Sequence, residues 1–238
     1  MIYYLGGYYL VLLRPTSFGA SPGRLINTAS ECLSENLIGH WAYPWDKPAR
    51  KDSAGAEAAL NLEKSKVDAI REWVGAKTTA NSIGWQSVFL DVQTAIEYRE
   101  RFFPDLDGVS LLGLYFSENE SAEILNEFKP ESKGSGEIGI YQMLLKQLPE
   151  VEGSRQKLLG FDLVGIEYGG DFHSFHCHDM AGELSNRFGL VLNRFGLFNE
   201  VSDWQPVLDY MNDEETGCEP VPWFAVKVKL IDLKAERL

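Results

Sequence analysis

Six residues within nine positions carry the side chains best suited to chemistry: Asp171, His173, His176, Cys177, His178 and Asp179, including three of the four histidines in the chain. A zinc ion needs three or four such donors converging at about 2.0–2.3 Å. In an extended segment His176 and His178 share one side and His173 and Cys177 the other. A single ion would therefore require a sharp bend. The His-x-x-His spacing would align two rings on a helix, but the segment falls between a strand and a helix start. Imidazoles placed there can equally cap the helix or bond main-chain carbonyls. The pattern predicts neither a bound metal nor any other cofactor. The alternative is a metal-dependent hydrolase using His173, His176 or His178 with Asp171 or Asp179.

Other chemistry is thinner. Cys177 lies beside two histidines near a helix N-terminus, which lowers a thiol pKa. Adjacent residues rarely face one another, however, so a base would have to come from elsewhere. Ser174 has no G-x-S-x-G context. The glycines from Gly165 to Gly170 follow a strand but match neither dinucleotide nor P-loop spacing, and they read as turns. No catalytic residue is assigned.

Downstream, residues 195–226 hold seven acids and neither lysine nor arginine. Glu200, Asp203, Asp209, Asp213, Glu214 and Glu215, with Trp204 and Tyr210 among them, predict a partner-binding face: aromatic anchors inside a negative field. Glu219 and Trp223 extend it. The competing reading is a solvated helix face and loop.

Composition supports that direction. The 238 residues carry 35 acidic and 22 basic side chains, a formal net charge of −13. Phosphate-rich partners attract basic surfaces and repel this one, which argues against nucleic acid and anionic membranes and favours a basic protein. The three cysteines, Cys32, Cys177 and Cys218, form no CxxC pair, so free thiols in a reducing, cytoplasmic setting are expected. The apolar N-terminus has about a dozen residues before Arg14, too few to span a bilayer. It also lacks the basic start and cleavage site of a signal peptide.

The elements that must position these groups follow from periodicity. Ile2–Leu5 and Tyr8–Leu13 suggest a hairpin around Gly6-Gly7. Residues 14–23 read as a loop, and 25–33 leave strand and short helix open. The aromatic His40–Trp45 is expected on the core. Ala56–Val74 predicts a helix stopped by Gly75, and Asp91 caps a second that Pro104 ends. Val109–Phe116 is an apolar run of strand length, Ser121–Phe128 a short helix, Lys129–Gly139 a mobile loop and Ile140–Leu148 a helix. Leu159, Phe161 and Leu163 alternate as in a strand. Met180, Leu184 and Phe188 form a helical stripe capped by Asp179 and ended by Gly189. Ser202–Gln205 resembles a capping box before the helical face of Val207, Leu208 and Met211. Phe224–Leu230 is a last strand, its Lys227 and Lys229 face solvated. The whole predicts one α+β domain over residues 1–238, a mixed β-sheet with several packed helices.

Several segments together also carry a resemblance: Leu25-Ile26-Asn27-Thr28-Ala29-Ser30-Glu31-Cys32, His40-Trp41-Ala42, Gly84-Trp85-Gln86-Ser87-Val88-Phe89, Leu159-Gly160-Phe161-Asp162, Phe172-His173-Ser174-Phe175-His176-Cys177, and Gly189 to Asn193 through Gly196-Leu197. The chain resembles a bacterial family similar to the immunity proteins of secreted antibacterial toxins, such as type VI effectors. The resemblance implies a cytoplasmic inhibitor that binds and neutralises a cognate toxin by occlusion. It carries no catalytic motif. A non-catalytic regulatory binding module of the same fold is the third expectation.

Overall fold

The computed structural model describes residues 1–15, 28–30, 37–39, 62–80, 82–84, 88–130, 139–151, 156–167 and 172–232. The readings of 14–23 beyond Pro15, of most of 25–33, of 40–45 and of most of 129–139 lie outside them. Five strands, β1 (Tyr3–Leu12), β2 (Val109–Ser117), β3 (Gln156–Ile166), β4 (Phe172–Ser174) and β5 (Trp223–Ile231), form one sheet in the order β1-β2-β5-β3-β4. Among the described residues six α-helices accompany it: α1 (Lys64–Thr79), α2 (Val92–Phe102), α3 (Glu118–Glu127), α4 (Gly139–Leu144), α5 (Ala181–Phe188) and α6 (Gln205–Met211). The class is α+β. The sheet, expected to be mixed, is antiparallel in every one of its four ladders.

Both faces of the sheet are covered, which explains the unbroken apolar runs of its strands. Along β1, Tyr9 and Val11 join Ile124, Ile140, Met143 and Leu144 in one cluster. The alternate residues Leu10 and Leu12 join Ile70, Trp73, Tyr98 and Phe102 of α1 and α2 in another. A third cluster packs Leu163, Trp223 and Ala225 beneath Phe175, Leu184, Phe198, Val207 and Met211.

The expected N-terminal hairpin is a single strand with a β-bulge between Leu5 and Gly7. Two adjacent glycines suggest a turn, but here they make room. A Cβ on Gly6 would lie 2.4 Å from the Phe116 ring, and one on Gly7 (φ +144°) 2.4 Å from Val88. Helix α1 starts at Lys64 and runs through Gly75 to Thr79, because one glycine lowers helix stability without ending it. Asp91 caps α2 as expected, accepting from the Thr94 N–H at 2.7 Å. Helix α3 begins earlier than its apolar residues suggest, at a capping box formed by Ser117 and Glu120.

Asp179 does not cap α5. It is left-handed (φ 54°) and closes a 3₁₀ turn over Phe175–His178, while Met180 takes the N-cap position. Gly189 ends that helix with φ 68°. At α6 the capping box is replaced by Asp203, whose Oδ1 accepts from the Gln205 N–H at 3.0 Å. The Lys227 and Lys229 face of β5 is not solvated. Glu150 accepts from Lys227 at 2.8 Å and from Lys229 at 2.5 Å.

Candidate functional site

The short strand β4 and the 3₁₀ turn supply the bend that an extended reading of the histidines lacks. Ser174 is the pivot. Its Oγ accepts from the His176 N–H at 3.4 Å and donates to Asp162 Oδ1 at 3.0 Å. Burial pushes the Asp162 carboxyl up to about 7, against hydrogen bonds from Thr28, Ser174 and the Leu163 main chain that favour its ionised form.

The turn separates the three imidazoles. His176 points inward, its Nε2 2.7 Å from the carbonyl of Gly196 and its ring 4.0 Å from that of Phe175. It is a core histidine bonded to main chain. His173 and His178 face each other instead, with ring centroids 6.3 Å apart. Glu219, which the sequence places with the acidic stretch, joins them: the ligand-type atoms of His173, His178 and Glu219 all lie within 4.8 Å of one another. His173 Nε2 is also 2.7 Å from Glu167 Oε1. Asp179 is exposed at the far end of the turn, and Asp171 lies outside the described residues.

Cys177 is committed structurally. Its sulfur accepts from the Ser174 N–H at 3.4 Å and lies 3.3 Å from Ser30 Oγ. Its neighbours have other partners: His176 bonds the Gly196 carbonyl, and His178 lies with His173 and Glu219. Cys218 is the other described thiol, and burial pushes its pKa up, opposite to activation.

The acidic stretch divides by residue type. Glu200, Asp203, Asp209, Asp213, Glu214 and Glu215 are all exposed. Three have local structural tasks. Asp203 holds the start of α6, Asp209 accepts from Gln205 Nε2 at 2.7 Å, and Asp213 accepts from the Glu215 N–H at 2.9 Å in the 3₁₀ turn Glu214–Thr216. The side chains of Glu200, Glu214 and Glu215 make no hydrogen bond or ion pair among the described residues.

The aromatics are largely spoken for. Trp204 is half-buried, its ring packed 5.3 Å from Phe161 and 6.5 Å from Phe198. Tyr210 donates to Glu183 of α5, a bond that raises its own pKa, and carries the Arg187 guanidinium 4.2 Å above its ring. Trp223 is fully buried. The face therefore presents carboxylates to solvent, with its aromatics serving as a floor.

No helix among the described residues is long and apolar enough to cross a membrane. Comparison of the chain with protein-family models, curated proteins and solved structures finds no match.

Proposed function

We propose that this protein is a cytoplasmic immunity protein that binds a cognate antibacterial toxin and blocks it by occlusion. The observation that carries the reading is the row of exposed acids from Glu200 to Glu215, with no basic residue between them and Glu200, Glu214 and Glu215 unneutralised. A negative surface of this kind accelerates encounter with a basic partner and orients it. A nuclease toxin suits it well, because an acidic inhibitor competes for the cationic side chains that hold nucleic acid. The half-buried Trp204 and Tyr210 give the face a rigid base, and its contacts are charge-led.

A hydrolase built on residues 171–179 has less support. His176 is bonded inside the core, and Asp179 is an exposed left-handed residue that closes the turn.

Co-expression with the toxin encoded beside this gene tests the proposal. Cells carrying the protein are expected to survive toxin induction, and the purified pair to associate more slowly as salt rises. Death of cells that express both proteins to comparable levels would discard the immunity reading.

A further inference from the structure

We infer that His173, His178 and Glu219 form a binding site for a divalent metal ion of the zinc type, with Glu167 as the positioning residue for His173. The inference is independent of toxin binding. It rests on four observations that converge on one place.

The first is convergence itself. Three ligand-type side chains from three segments, β4, the 3₁₀ turn and the loop before β5, bring their donor atoms within 4.8 Å of one another. Ligands of a tetrahedral zinc ion lie about 3.4 Å apart, given bonds of about 2.0–2.2 Å. His178 and Glu219 are only half-buried, and the gap to be closed is on the order of an ångström.

The second is an unmet need. His178 Nε2 is buried and has no hydrogen-bond partner among the described residues. Buried polar nitrogens are nearly always paired. His176, two residues before His178 in the same turn, meets the rule by bonding the Gly196 carbonyl. A ligand-type nitrogen of the same His178 ring lies within 4.8 Å of those of a second imidazole and a carboxylate, a set of groups that a cation would satisfy together.

The third is the carboxylate behind His173. Glu167 Oε1 lies 2.7 Å from His173 Nε2. When that nitrogen donates its proton to Glu167, the neutral ring carries its lone pair on Nδ1. This carboxylate–histidine arrangement accompanies most metal-bound imidazoles.

The fourth is the scaffold. His173 sits opposite Gly165 in β3, and Gly165 sits opposite Trp223 in β5, so the three form one row across the sheet. A Cβ on Gly165 would come 2.9 Å from Trp223 Cε2 and 2.8 Å from Val221 Cγ2. The bare glycine lets the indole lie there. Trp223 then meets the His178 ring edge-on at 6.0 Å and donates its indole N–H to the Glu219 carbonyl at 3.1 Å. One buried side chain thus holds two segments 41 positions apart in ligand-binding register.

Two imidazoles and one carboxylate favour zinc and neighbouring first-row ions over calcium or magnesium, which take oxygen ligands. Three protein ligands also leave a coordination position for water.

The test uses untagged full-length protein stripped with a chelator and titrated with zinc by calorimetry, and with cobalt(II) by visible absorption. One equivalent is expected, with the intense bands of a four-coordinate cobalt site. His178→Asn and Glu219→Gln each lower affinity at least tenfold, and Glu167→Gln lowers it tenfold to a hundredfold. Glu215→Gln, exposed on the acidic stretch, leaves it unchanged. Glu219→Gln removes no packed side chain and His178→Asn loses only the edge contact with Trp223, so circular dichroism should show both folded. Absence of stoichiometric uptake, or equal affinity in the parent, His178→Asn and Glu219→Gln proteins, would overturn the site.

Discussion

Glu150 accepts a 2.5 Å hydrogen bond from Lys229, 79 residues away in the chain. The ammonium is buried in the sheet, and the same carboxylate also holds Lys227, whose Nζ sits 3.5 Å over the ring of Tyr3. Burial disfavours ionisation of Glu150, but the hydrogen bonds from the two lysines outweigh it and keep the carboxyl below its ordinary range. Glu150→Gln leaves two lysines facing a neutral amide. Complete burial of an unpaired charge costs about 3–5 kcal/mol. Because the three side chains keep 8–16% exposure, about 2–3 kcal/mol is expected. Urea denaturation at pH 7 measures it. A depressed carboxyl stabilises above its unfolded pKa, so the difference between parent and variant shrinks as pH falls below about 4.5.

Asp162 predicts the opposite slope. Its folded pKa of about 7 lies above the ordinary value of 3.8, so the native state holds more protons than the unfolded chain between those limits. Its contribution therefore declines as pH rises through that window, by at most about 1.4 kcal/mol per unit. Asp162→Asn, which stays neutral, removes this component. Relative to the parent, the variant should gain stability from pH 4 to pH 8, as read from denaturation midpoints. An unchanged difference across that range would show that Asp162 is ionised in the native state throughout.

Gly160 is the tightest backbone contact beneath the 193–198 loop. It has φ +147°, and a Cβ there would lie 2.7 Å from both Leu197 Cβ and the Phe198 carbonyl oxygen, and 2.8 Å from Asn193 Nδ2. That amide donates to the Leu159 carbonyl at 2.7 Å, anchoring the loop to the β3 bulge. Gly160→Ala combines a strained backbone with a steric clash and should cost about 2–4 kcal/mol. Thermal unfolding of the variant checks this.

The surface acids should behave in the reverse manner. Glu200→Gln, Glu214→Gln and Glu215→Gln together remove three charges that support no cap or ion pair, so stability should change by less than about 0.5 kcal/mol. Association with a basic toxin should slow severalfold at low salt and approach the parent rate at high salt. Stopped-flow mixing at two ionic strengths separates the effects. An equal rate at low salt would remove the electrostatic basis of the proposed function.

Local chemistry was the legible part of this sequence. The Asp91 cap, the apolar run of β2 and the Gly189 terminus depend on neighbours a few residues away, and each occurs where its pattern indicates. Relationships across the sheet were not legible. Gly6-Gly7 looks like a turn because its reason, the Phe116 ring, is 110 positions away. Lys227 and Lys229 look solvated because their partner is Glu150. The histidines were visible as a group, but only the β4 register and the 3₁₀ turn separate His176 from the other two. Glu219 carries no local signal that links it to imidazoles 41 and 46 positions earlier. It becomes recognisable only when Trp223 is seen touching both.

The order of the strands has a consequence for how the molecule is made. β5 is last of the five in the chain yet lies between β2 and β3, so it is the strand whose ladders join the β1-β2 and β3-β4 pairs into one sheet. A ribosome adding about 5–20 residues per second needs on the order of ten seconds to travel from the end of β2 to the end of β5. During that interval the nascent β2 exposes a row of unpaired amides and carbonyls beside Leu112, Leu114 and Phe116. A chaperone that recognises extended apolar segments would find its substrate there, and it would be released when the closing strand arrives.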